Sequence, residues 1–434
     1  MKRSLYFDMR CLLAAFIILS TVSCERTGGT QEEVVSVESV TFGQSSLELV
    51  VKEKQELYSK IVPRNASNKK LVWSVDDESI ASVDDYGHVT GVAPGKTVVH
   101  VVTDDGGKSA SCEVVVYASR DVYITGTSRT PSVENSYEAL LWTNGKAEKL
   151  PSDQSPSSAS DVFATDTDVY VAGRIYINHE KYMGLAPVPV IWKNGTMAIL
   201  GDAVGWACSV FVNENDVYVS GWSDVYLSDW NDDRHACIWK NGEISILARS
   251  GIVYSVFIVG EDVYAAGYED IYSAVNNKYI YTARVWKNGI RLPLSDAENS
   301  IVEKVFVSDG DVYAAGSADG SSEPRLWKNG ELQYLEDDSV FGPMPGLYVD
   351  GKDVYVCGPD LWKNGMIKEP NDPDDPYPPY KYTSVFVSGN NIYVTGTSMY
   401  TMNAGLWVNG KRSDPPIQEI EYAEFSGLFV KYRK

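Results

Sequence analysis

The sequence predicts an all-β protein in two parts, a small N-terminal sandwich and a C-terminal series of seven repeated units. Three observations carry this prediction. Apolar and polar residues alternate over residues 37–117, three short phrases each recur seven times over residues 121–434, and every repeat contains an Asn-Gly pair. Alternation with a period of two is typical of half-buried strands, a fixed spacing indicates a repeat architecture, and Asn-Gly is a hairpin turn signal.

The composition excludes some classes of partner and cofactor. The chain has 434 residues and a formal charge of −21, so it repels phosphate backbones and we expect no nucleic-acid partner. The six cysteines form no Cys-x-x-Cys pair and the four histidines form no ligand cluster, so we expect neither a metal site nor a cofactor. We expect no catalytic residues either, although the many carboxylates leave an acid/base pair open.

Residues 1–23 indicate an export signal. Lys2 and Arg3 give a positive start, and residues 11–19 form an apolar run that is too short to span a bilayer as a helix. Such a segment is removed from the mature protein.

Cys24 follows the small residue Ser23, and this junction resembles the lipobox of bacterial lipoproteins. Thr21 stands where the commonest lipobox has leucine. The resemblance implies that Cys24 carries acyl chains and anchors the protein to a membrane of the bacterial envelope, with the outer membrane expected. Residues 24–36 are the lipidated cysteine and a polar tether, which is too poor in apolar residues to fold by itself.

Short alternating strands and turn signals fill residues 37–117 and predict a β-sandwich. The segment resembles the bacterial Ig-like domain, group 2, in phrases that agree in order along its length. The resemblance implies a spacer or adhesion module of exported proteins, without catalytic residues. We expect Trp73 in its core and Cys112 as a buried free thiol. The matching phrases are Val62-Pro63-Arg64-Asn65-Ala66, Val72-Trp73-Ser74-Val75-Asp76, Ile80-Ala81-Ser82-Val83-Asp84, Gly87-His88-Val89-Thr90-Gly91-Val92 and Pro94-Gly95-Lys96.

The three repeated phrases divide residues 121–434 into seven units of about 45 residues each. Asp-Val-Tyr-x-x-Gly begins at Asp121, Asp168, Asp216, Asp262, Asp311, Asp353 and, as Asn-Ile-Tyr, at Asn391. An apolar residue precedes Trp-Lys-Asn-Gly or a close variant, with tryptophans at 142, 192, 239, 286, 327, 362 and 407. A phrase similar to Ser-Val-Phe-Val places aromatic residues at Phe163, Phe211, Phe257, Phe306, Tyr348, Phe386 and Phe429.

This period suits a four-stranded β-propeller blade, with strands A to D from the centre outward. The repeat region opens with a strand B at Asp121 and ends with a lone strand A at residues 427–431. Pairing of the last strand with residues 121–126 would leave no sheet edge open. The sequence therefore predicts an N-terminal Ig-like β-sandwich followed by a seven-bladed β-propeller closed by the C-terminal strand.

Two repeated residue types suggest sites but have simpler structural interpretations. We expect the repeat tryptophans to fill the space between blades rather than to form a ring for ligand stacking. We expect the aspartate or asparagine before Val-Tyr to stabilise a turn through bonds from its side chain to the backbone.

The candidate ligand-binding residues are aromatic and lie in the three longest B-to-C connections, at residues 174–190, 222–236 and 268–283. Variable loops on a rigid scaffold are where binding is usually found, and tyrosine and tryptophan suit sugars and proteins. The alternative is that these side chains only pack against one another. The candidates are Tyr176, Tyr182, Trp222, Tyr226, Trp230, Tyr268, Tyr272 and Tyr281.

The leading function is therefore that of an exported, membrane-anchored binding module without catalysis, whose ligand is a glycan or a protein. A propeller-type glycoside hydrolase or lyase is one alternative, and a structural scaffold in an envelope complex is another. The sequence leaves open the side of the outer membrane and the oligomeric state.

Overall fold

A computed structural model of the chain describes residues 34–129, 136–153, 155–180, 183–225, 234–273, 277–318, 323–336, 346–368, 380–389, 391–398, 404–412 and 423–433. Its regular elements within these ranges are all β-strands, which confirms the all-β prediction. Among the same residues there is no helix with the length and apolar character needed to cross a membrane. The predicted export signal, Cys24 and most of the tether lie outside the described residues.

The N-terminal part is a β-sandwich with a four-stranded sheet in the order β2-β9-β8-β5, a three-stranded sheet β3-β7-β6 and the pair β1-β4. Leu49, Val99 and Val114 are fully buried between the sheets. Trp73 packs against this core and stacks on Phe42, with ring centroids 5.7 Å apart. The strands are β1 (Ser39–Phe42), β2 (Ser46–Val50), β3 (Lys54–Glu56), β4 (Ser59–Val62), β5 (Leu71–Val75), β6 (Ala81–Val83), β7 (His88–Gly91), β8 (Gly95–Thr103) and β9 (Ser109–Tyr117).

The C-terminal part contains seven four-stranded antiparallel sheets, numbered I to VII. The strands of sheets I to III are β10 (Ser119–Arg129), β11 (Tyr137–Thr143), β12 (Lys146–Lys149) and, from the chain end, β37 (Ala423–Arg433); β13 (Ser157–Ala164), β14 (Val169–His179), β15 (Gly184–Lys193) and β16 (Thr196–Ile199); β17 (Gly205–Asn213), β18 (Asp216–Ser223), β19 (His235–Lys240) and β20 (Glu243–Ala248).

Sheets IV to VII follow in chain order. Their strands are β21 (Gly251–Val259), β22 (Asp262–Ser273), β23 (Lys278–Lys287) and β24 (Ile290–Leu292); β25 (Ser300–Ser308), β26 (Asp311–Ala318), β27 (Glu323–Lys328) and β28 (Glu331–Gln333); β29 (Gly346–Asp350), β30 (Asp353–Cys357), β31 (Leu361–Lys363) and β32 (Met366–Ile367); β33 (Tyr380–Ser388), β34 (Asn391–Ser398), β35 (Ala404–Val408) and β36 (Lys411–Arg412).

The Asn-Gly turns join strands C and D with positive φ at both central residues. In sheet III, Asn241 has φ 52° and Gly242 has φ 87°, which is the type I′ conformation whose twist matches a hairpin. Corresponding values occur at the Asn-Gly pair of every other sheet. The hairpin predicted from this pair is therefore confirmed.

The repeated aspartate bonds a neighbouring turn rather than its own backbone, which corrects the expectation from sequence. Asn241 donates from Nδ2 to Asp216 at 2.8 Å and accepts from the N–H of Val217 at 2.8 Å. Lys240 lies 2.7 Å from Asp216 and 5.3 Å from the ring centroid of Tyr218. Asp216 begins β18 and Asn241 directly follows the paired strand β19, so the two side chains lie beside each other.

The repeat tryptophans fill the spaces between successive sheets, as the sequence predicts, and each is at most 2% exposed. Trp192 of sheet II, for example, packs against Tyr123 and Ala139 of sheet I. Trp142 of sheet I in turn packs against Tyr393 of sheet VII.

Strand β37 hydrogen-bonds to β10, from Ser119 opposite Arg433 to Ser128 opposite Ala423. Both strands extend beyond the residues predicted to pair. Seven aromatic side chains on the A strands contact one another in succession, with centroids 4.6 to 5.3 Å apart, and the last contacts the first. They are Phe163, Phe211, Phe257, Phe306, Tyr348, Phe386 and Phe429.

The sandwich contacts the repeat part at the ends of sheet VII and of the β10–β37 pair. Glu53 accepts two hydrogen bonds from Arg120, at 2.8 and 2.9 Å, and one from Asn391 at 3.1 Å. Tyr117 stacks on Tyr432 with centroids 4.5 Å apart. Asn391 begins strand B of its sheet, so the sandwich lies on the face that carries the A-to-B turns.

Candidate functional site

The face opposite the sandwich carries the B-to-C and D-to-A connections. Residues 174–190 and 268–283, predicted as loops, are mostly strand: β14 pairs with β15 out to His179 and Gly184, and β22 pairs with β23 out to Ser273 and Lys278. Their tyrosines and β-branched residues favour strand and let the hairpins continue beyond the sheets. In the third connection, β18 ends at Ser223 and β19 begins at His235, and residues 226–233 lie outside the described residues.

A β-bulge in strand A recurs at the centre of this face. The register shifts by one residue at the same repeat position in six sheets, those other than sheet VI. A bulge re-aims its extra residue, and here five bulged residues line a central cavity. They are Ser160, Cys208, Tyr254, Glu303 and Ser426.

The glycine of Asp-Val-Tyr-x-x-Gly lies opposite this bulge. At Gly267 a Cβ atom would come within 1.8 Å of the Ile252 carbonyl oxygen, and at Gly173 within 2.1 Å of the Ser158 carbonyl oxygen. The repeated glycine is thus needed because the bulged strand approaches it too closely for any side chain.

The central cavity, here called the funnel, has a volume of about 330 Å³. Lys304 lies 3.6 Å from Asp161 within it. Asp161 also accepts hydrogen bonds from the Ser209 hydroxyl at 2.6 Å and from the Val162 N–H at 3.0 Å. These bonds engage both oxygens of the carboxylate, so Asp161 joins sheets II, III and V and is a structural group.

A second cavity, here called the Arg174 cleft, opens beside the funnel and has a volume of about 370 Å³. Thr127, Ser158, Arg174 and Glu424 line both cavities, so the two lie side by side. The cleft is lined by Thr127, Tyr137, Pro156, Ser158, Arg174, Tyr176, Leu185 and Glu424.

Arg174 is half-buried in the cleft wall. Its guanidinium lies over the Trp206 ring, 3.8 Å from the centroid, and 5.3 Å from the centroid of Tyr176. The buried Nε donor has no acceptor among the described residues, and none of their carboxylates forms an ion pair with it. Burial lowers the pKa of Arg174, yet an arginine side chain remains charged at neutral pH. The cleft is therefore lined by a cation that has no carboxylate partner among the described residues.

Two of the predicted aromatic residues lie near this arginine. Tyr176 lines the cleft, and Trp222 is the cross-strand neighbour of Trp206. Arg234 lies 5.9 Å from the ring centroid of Trp222.

Three other predicted residues lie along the β22–β23 hairpin. Tyr268 is only 5% exposed and contacts Tyr281 and the funnel residue Tyr254, with centroids 5.0 and 6.0 Å apart. Burial raises the pKa of Tyr268 to about 12. Tyr272 and Tyr281 are 52% and 45% exposed, and Tyr272 contacts Tyr279. Tyr268 therefore serves packing, while the other two present surface.

The remaining candidates, Tyr182, Tyr226 and Trp230, lie outside the described residues. Sequence reasoning missed Arg174 and Trp206. Alignment of the repeats carries a signal for Arg174, because the residue after the strand-B glycine is charged only there. In the other repeats it is Thr127, Trp222, Tyr268, Ser317, Pro359 or Thr397.

Other groups in the described parts of the chain offer no metal centre, since no cluster of three His, Cys, Asp or Glu residues is close enough to hold an ion there. The expected free thiol at Cys112 is confirmed; it is buried, and burial raises its pKa to about 11. Three carboxylates line the funnel, those of Asp161, Glu303 and Glu424.

Comparison with known proteins bears on the sandwich most directly. Residues 36–114 match the bacterial Ig-like domain (group 2), which confirms the resemblance found from sequence. A curated, uncharacterised protein of Clostridium acetobutylicum is 29% identical over 117 residues, which are 27% of this chain and 12% of that protein. The chain covers between 8% and 45% of the length of the curated relatives it matches.

Two solved structures are similar over most of the chain. One is a quinonprotein alcohol dehydrogenase-like protein from Bacteroides thetaiotaomicron, with 11% identity and a TM-score of 0.32, covering 91% of this chain and 97% of that one. The other is the β-propeller domain of the Trilobed protease from Pyrococcus furiosus, with 8% identity and a TM-score of 0.28, covering 87% and 96%.

Proposed function

We propose that this chain is an exported, lipid-anchored binding protein without catalytic activity, which holds a glycan or a protein on the face formed by its B-to-C hairpins. The seven sheets are the blades of a propeller that β37 closes, and the Ig-like domain is a spacer between propeller and membrane. The observation that carries this proposal is the position of the two cavities on the face opposite the Ig-like domain.

Closure of the ring is supported by three kinds of contact between its ends. Strand β37 pairs with β10, the Trp142 core joins sheet I to sheet VII, and Phe429 contacts both Phe386 and Phe163. A closed ring brings the connections of all blades to a common rim, which is the geometry of a shared binding surface.

The orientation of the Ig-like domain supports the role of spacer. Strand β9 runs from Ser109 to Tyr117, a length of about 27 Å, and Tyr117 is the end that contacts the propeller. The N–H of Val37 bonds Asp105 at the other end. The described part of the domain therefore begins at the end that is far from the propeller.

Lipidation at Cys24 is tested by membrane fractionation of cells that express the full chain or Cys24→Ala. We expect the full chain in the membrane fraction with incorporated fatty acid, and the variant in the soluble fraction. Two acyl chains suffice for a stable anchor. Equal fractionation of both proteins would disprove the anchor.

Binding is tested with the chain from residue 25 onward on a glycan array and in a pull-down from envelope extracts. We expect a retained ligand whose binding is lost when Tyr176, Trp222 and Tyr272 are replaced by alanine. Tyr86→Ala is the matched control, since Tyr86 is exposed on the Ig-like domain. Unchanged retention by the triple variant would remove the binding site from this face.

Glu303 and Glu424 favour a second candidate, a glycoside hydrolase or lyase, because both carboxylates line an aromatic funnel with Trp206 and Tyr254. Incubation of the protein with polysaccharides and measurement of new reducing ends or unsaturated products separates the two candidates. Turnover that is lost in Glu303→Gln or Glu424→Gln would establish the enzyme and overturn the non-catalytic proposal.

A further inference from the structure

We propose that the Arg174 cleft binds a sugar residue that carries a carboxylate, so that the glycans held by this protein are acidic. This inference rests on the proposed function, since it names the ligand class of the same face. Four properties of the cleft support it: an unpaired cation, a fixed position for that cation, a lining of hydroxyl groups, and no free strand edge.

The guanidinium of Arg174 lacks a hydrogen-bond acceptor for its Nε–H among the described residues. A buried donor without a partner costs free energy, and the cost is larger when the group is charged. Nε of Arg174 is such a donor among the described residues. A carboxylate matches the planar fork of a guanidinium with two parallel hydrogen bonds, which is the strongest arrangement for this side chain.

The position of the cation is fixed before any ligand arrives. The Trp206 ring supports the guanidinium at 3.8 Å, and Trp206 is itself held by a hydrogen bond from Nε1 to the Ser160 hydroxyl at 2.8 Å. Because little side-chain freedom is lost on binding, the ligand gains affinity from this preorganisation.

The remaining lining suits a sugar ring. Thr127 and Ser158 offer hydroxyls and are already within 3.2 Å of each other, while Tyr137 and Tyr176 add aromatic faces with phenolic groups. A volume of about 370 Å³ lies within the range of pockets for small ligands. Glu424 also lines the cleft, where its carboxylate can accept hydrogen bonds from sugar hydroxyls and disfavours ligands with several negative charges.

An acidic peptide fits less well. One common mode of binding an extended peptide is its addition to an exposed sheet edge. Strands β10 and β14, which carry Thr127, Arg174 and Tyr176, are each paired on both sides and offer no such edge. The cleft therefore recognises its ligand through side chains, which favours a compact polyol with one acid group.

The test uses the chain from residue 25 onward and pairs of sugars that differ only in charge. The probes are oligosaccharides of uronic and nonulosonic acids, each beside its methyl-esterified counterpart, with affinity measured by calorimetry. We expect at least one acidic probe to bind about ten- to a hundredfold more tightly than its ester, since a bidentate charged pair contributes that much. Added salt should weaken the preference.

Variants then assign the preference to the cleft. Arg174→Gln should abolish the difference between acid and ester, and Arg174→Lys should keep only part of it because lysine lacks the fork. Arg64→Gln, an exposed change on the Ig-like domain, should leave it intact. Thermal unfolding of each variant checks that the fold is retained.

The outcomes separate this inference from the function on which it rests. Neutral glycans that bind as well as acidic ones, with no effect of Arg174→Gln, would overturn the acidic-sugar site while the binding function stands. Absence of binding to every glycan, together with capture of an envelope protein, would overturn the sugar ligand and keep a protein ligand. Absence of any ligand for the wild type would overturn both.

Discussion

Arg433 donates from Nε to the carboxylate of Asp121 at 2.7 Å, across 312 positions of sequence. In sheets II to VI a lysine of strand C pairs with the corresponding aspartate, but in sheet I that position is Thr143. Strand β37 thus brings its own cation to the one repeat with an aspartate but no lysine. Arg433 also donates to the Tyr123 hydroxyl at 2.8 Å.

The first prediction concerns this contact between Arg433 and Asp121. Arg433→Ala should lower the free energy of unfolding by about 1–3 kcal/mol, since it removes charged hydrogen bonds from a partly buried carboxylate. Urea unfolding followed by circular dichroism measures the change. Lys240→Ala is the matched control: it removes an exposed lysine–aspartate pair of sheet III and should cost less than about 1 kcal/mol. Equal losses would mean that Arg433 contributes no more than a surface ion pair.

The second prediction separates two buried tryptophans that differ in one hydrogen bond. Trp192 donates from Nε1 to the Pro151 carbonyl oxygen at 2.7 Å, whereas Nε1 of Trp286 has no acceptor among the described residues. Replacement of either by phenylalanine removes similar packing, but Trp192→Phe also leaves the Pro151 carbonyl unpaired. We expect Trp192→Phe to cost about 1–2 kcal/mol more than Trp286→Phe.

Equilibrium unfolding of the two variants in the same buffer measures this difference. Each is the control for the other, because both tryptophans are fully buried between adjacent sheets. A larger loss for Trp286→Phe would show that packing at sheets III and IV outweighs the hydrogen bond.

Local sequence signals anticipated the parts of this fold that depend on neighbours in the chain. Asn241-Gly242 specified a type I′ turn because few residue pairs adopt two positive φ angles, and the turn then set the register of its hairpin. The role of the repeat tryptophans could be predicted because one tryptophan at the same position of each of the seven repeats indicates one shared structural role. Such signals are local or repeated, so one sequence suffices to read them.

Contacts between distant residues could not be read in this way. Arg174 lies on β14 and Trp206 on β17, so their contact depends on how two neighbouring sheets pack and not on a local sequence pattern. Glu53 and Arg120 are 67 positions apart and meet only through the docking of two folded parts. The sequence predicts a loop at Tyr268, but this residue lies within the sheet, between Ile252 of β21 and Ala283 of β23, and is buried there.

The third prediction tests the Asn-Gly turn of sheet III. Asn241→Gly keeps the positive φ but removes the bonds to Asp216 and Val217, and should cost about 1 kcal/mol. Asn241→Ala removes the same bonds and adds strain at φ 52°, so it should cost about 1 kcal/mol more than the glycine variant. Urea titrations of the two variants give the difference, and equal stabilities would show that the backbone carries no strain there.

The fourth prediction concerns pH and the junction between the Ig-like domain and the seven-sheet part. Burial acts to raise the pKa of Glu53, but hydrogen bonds from the Val50 N–H and from Arg120 outweigh it, so the pKa lies below its ordinary value of 4.5. An acid whose pKa is lower in the folded state stabilises the fold above its ordinary pKa. This contribution is complete above pH 4.5 and is lost as the pH falls through the lowered value.

Comparison of the wild type with Glu53→Gln isolates this carboxylate from its neighbours. Burial raises the pKa of Glu48, so the effect of pH on stability through Glu48 has the opposite sign. This effect is the same in both proteins and therefore cancels from the difference in their free energies of unfolding. At pH 7 we expect the free energy of unfolding of Glu53→Gln to be about 1–3 kcal/mol lower than that of the wild type. The reason is that Arg120 loses a charged acceptor, and the side chain of Glu53 is only 14% exposed. Below pH 4.5 the two unfolding curves should converge. Glu113→Gln is the control: it breaks the exposed pair with Lys96 and should change the free energy of unfolding little at pH 7.

If the loss of stability in Glu53→Gln were as large at pH 3 as at pH 7, the stability of the junction would not depend on the charge of Glu53.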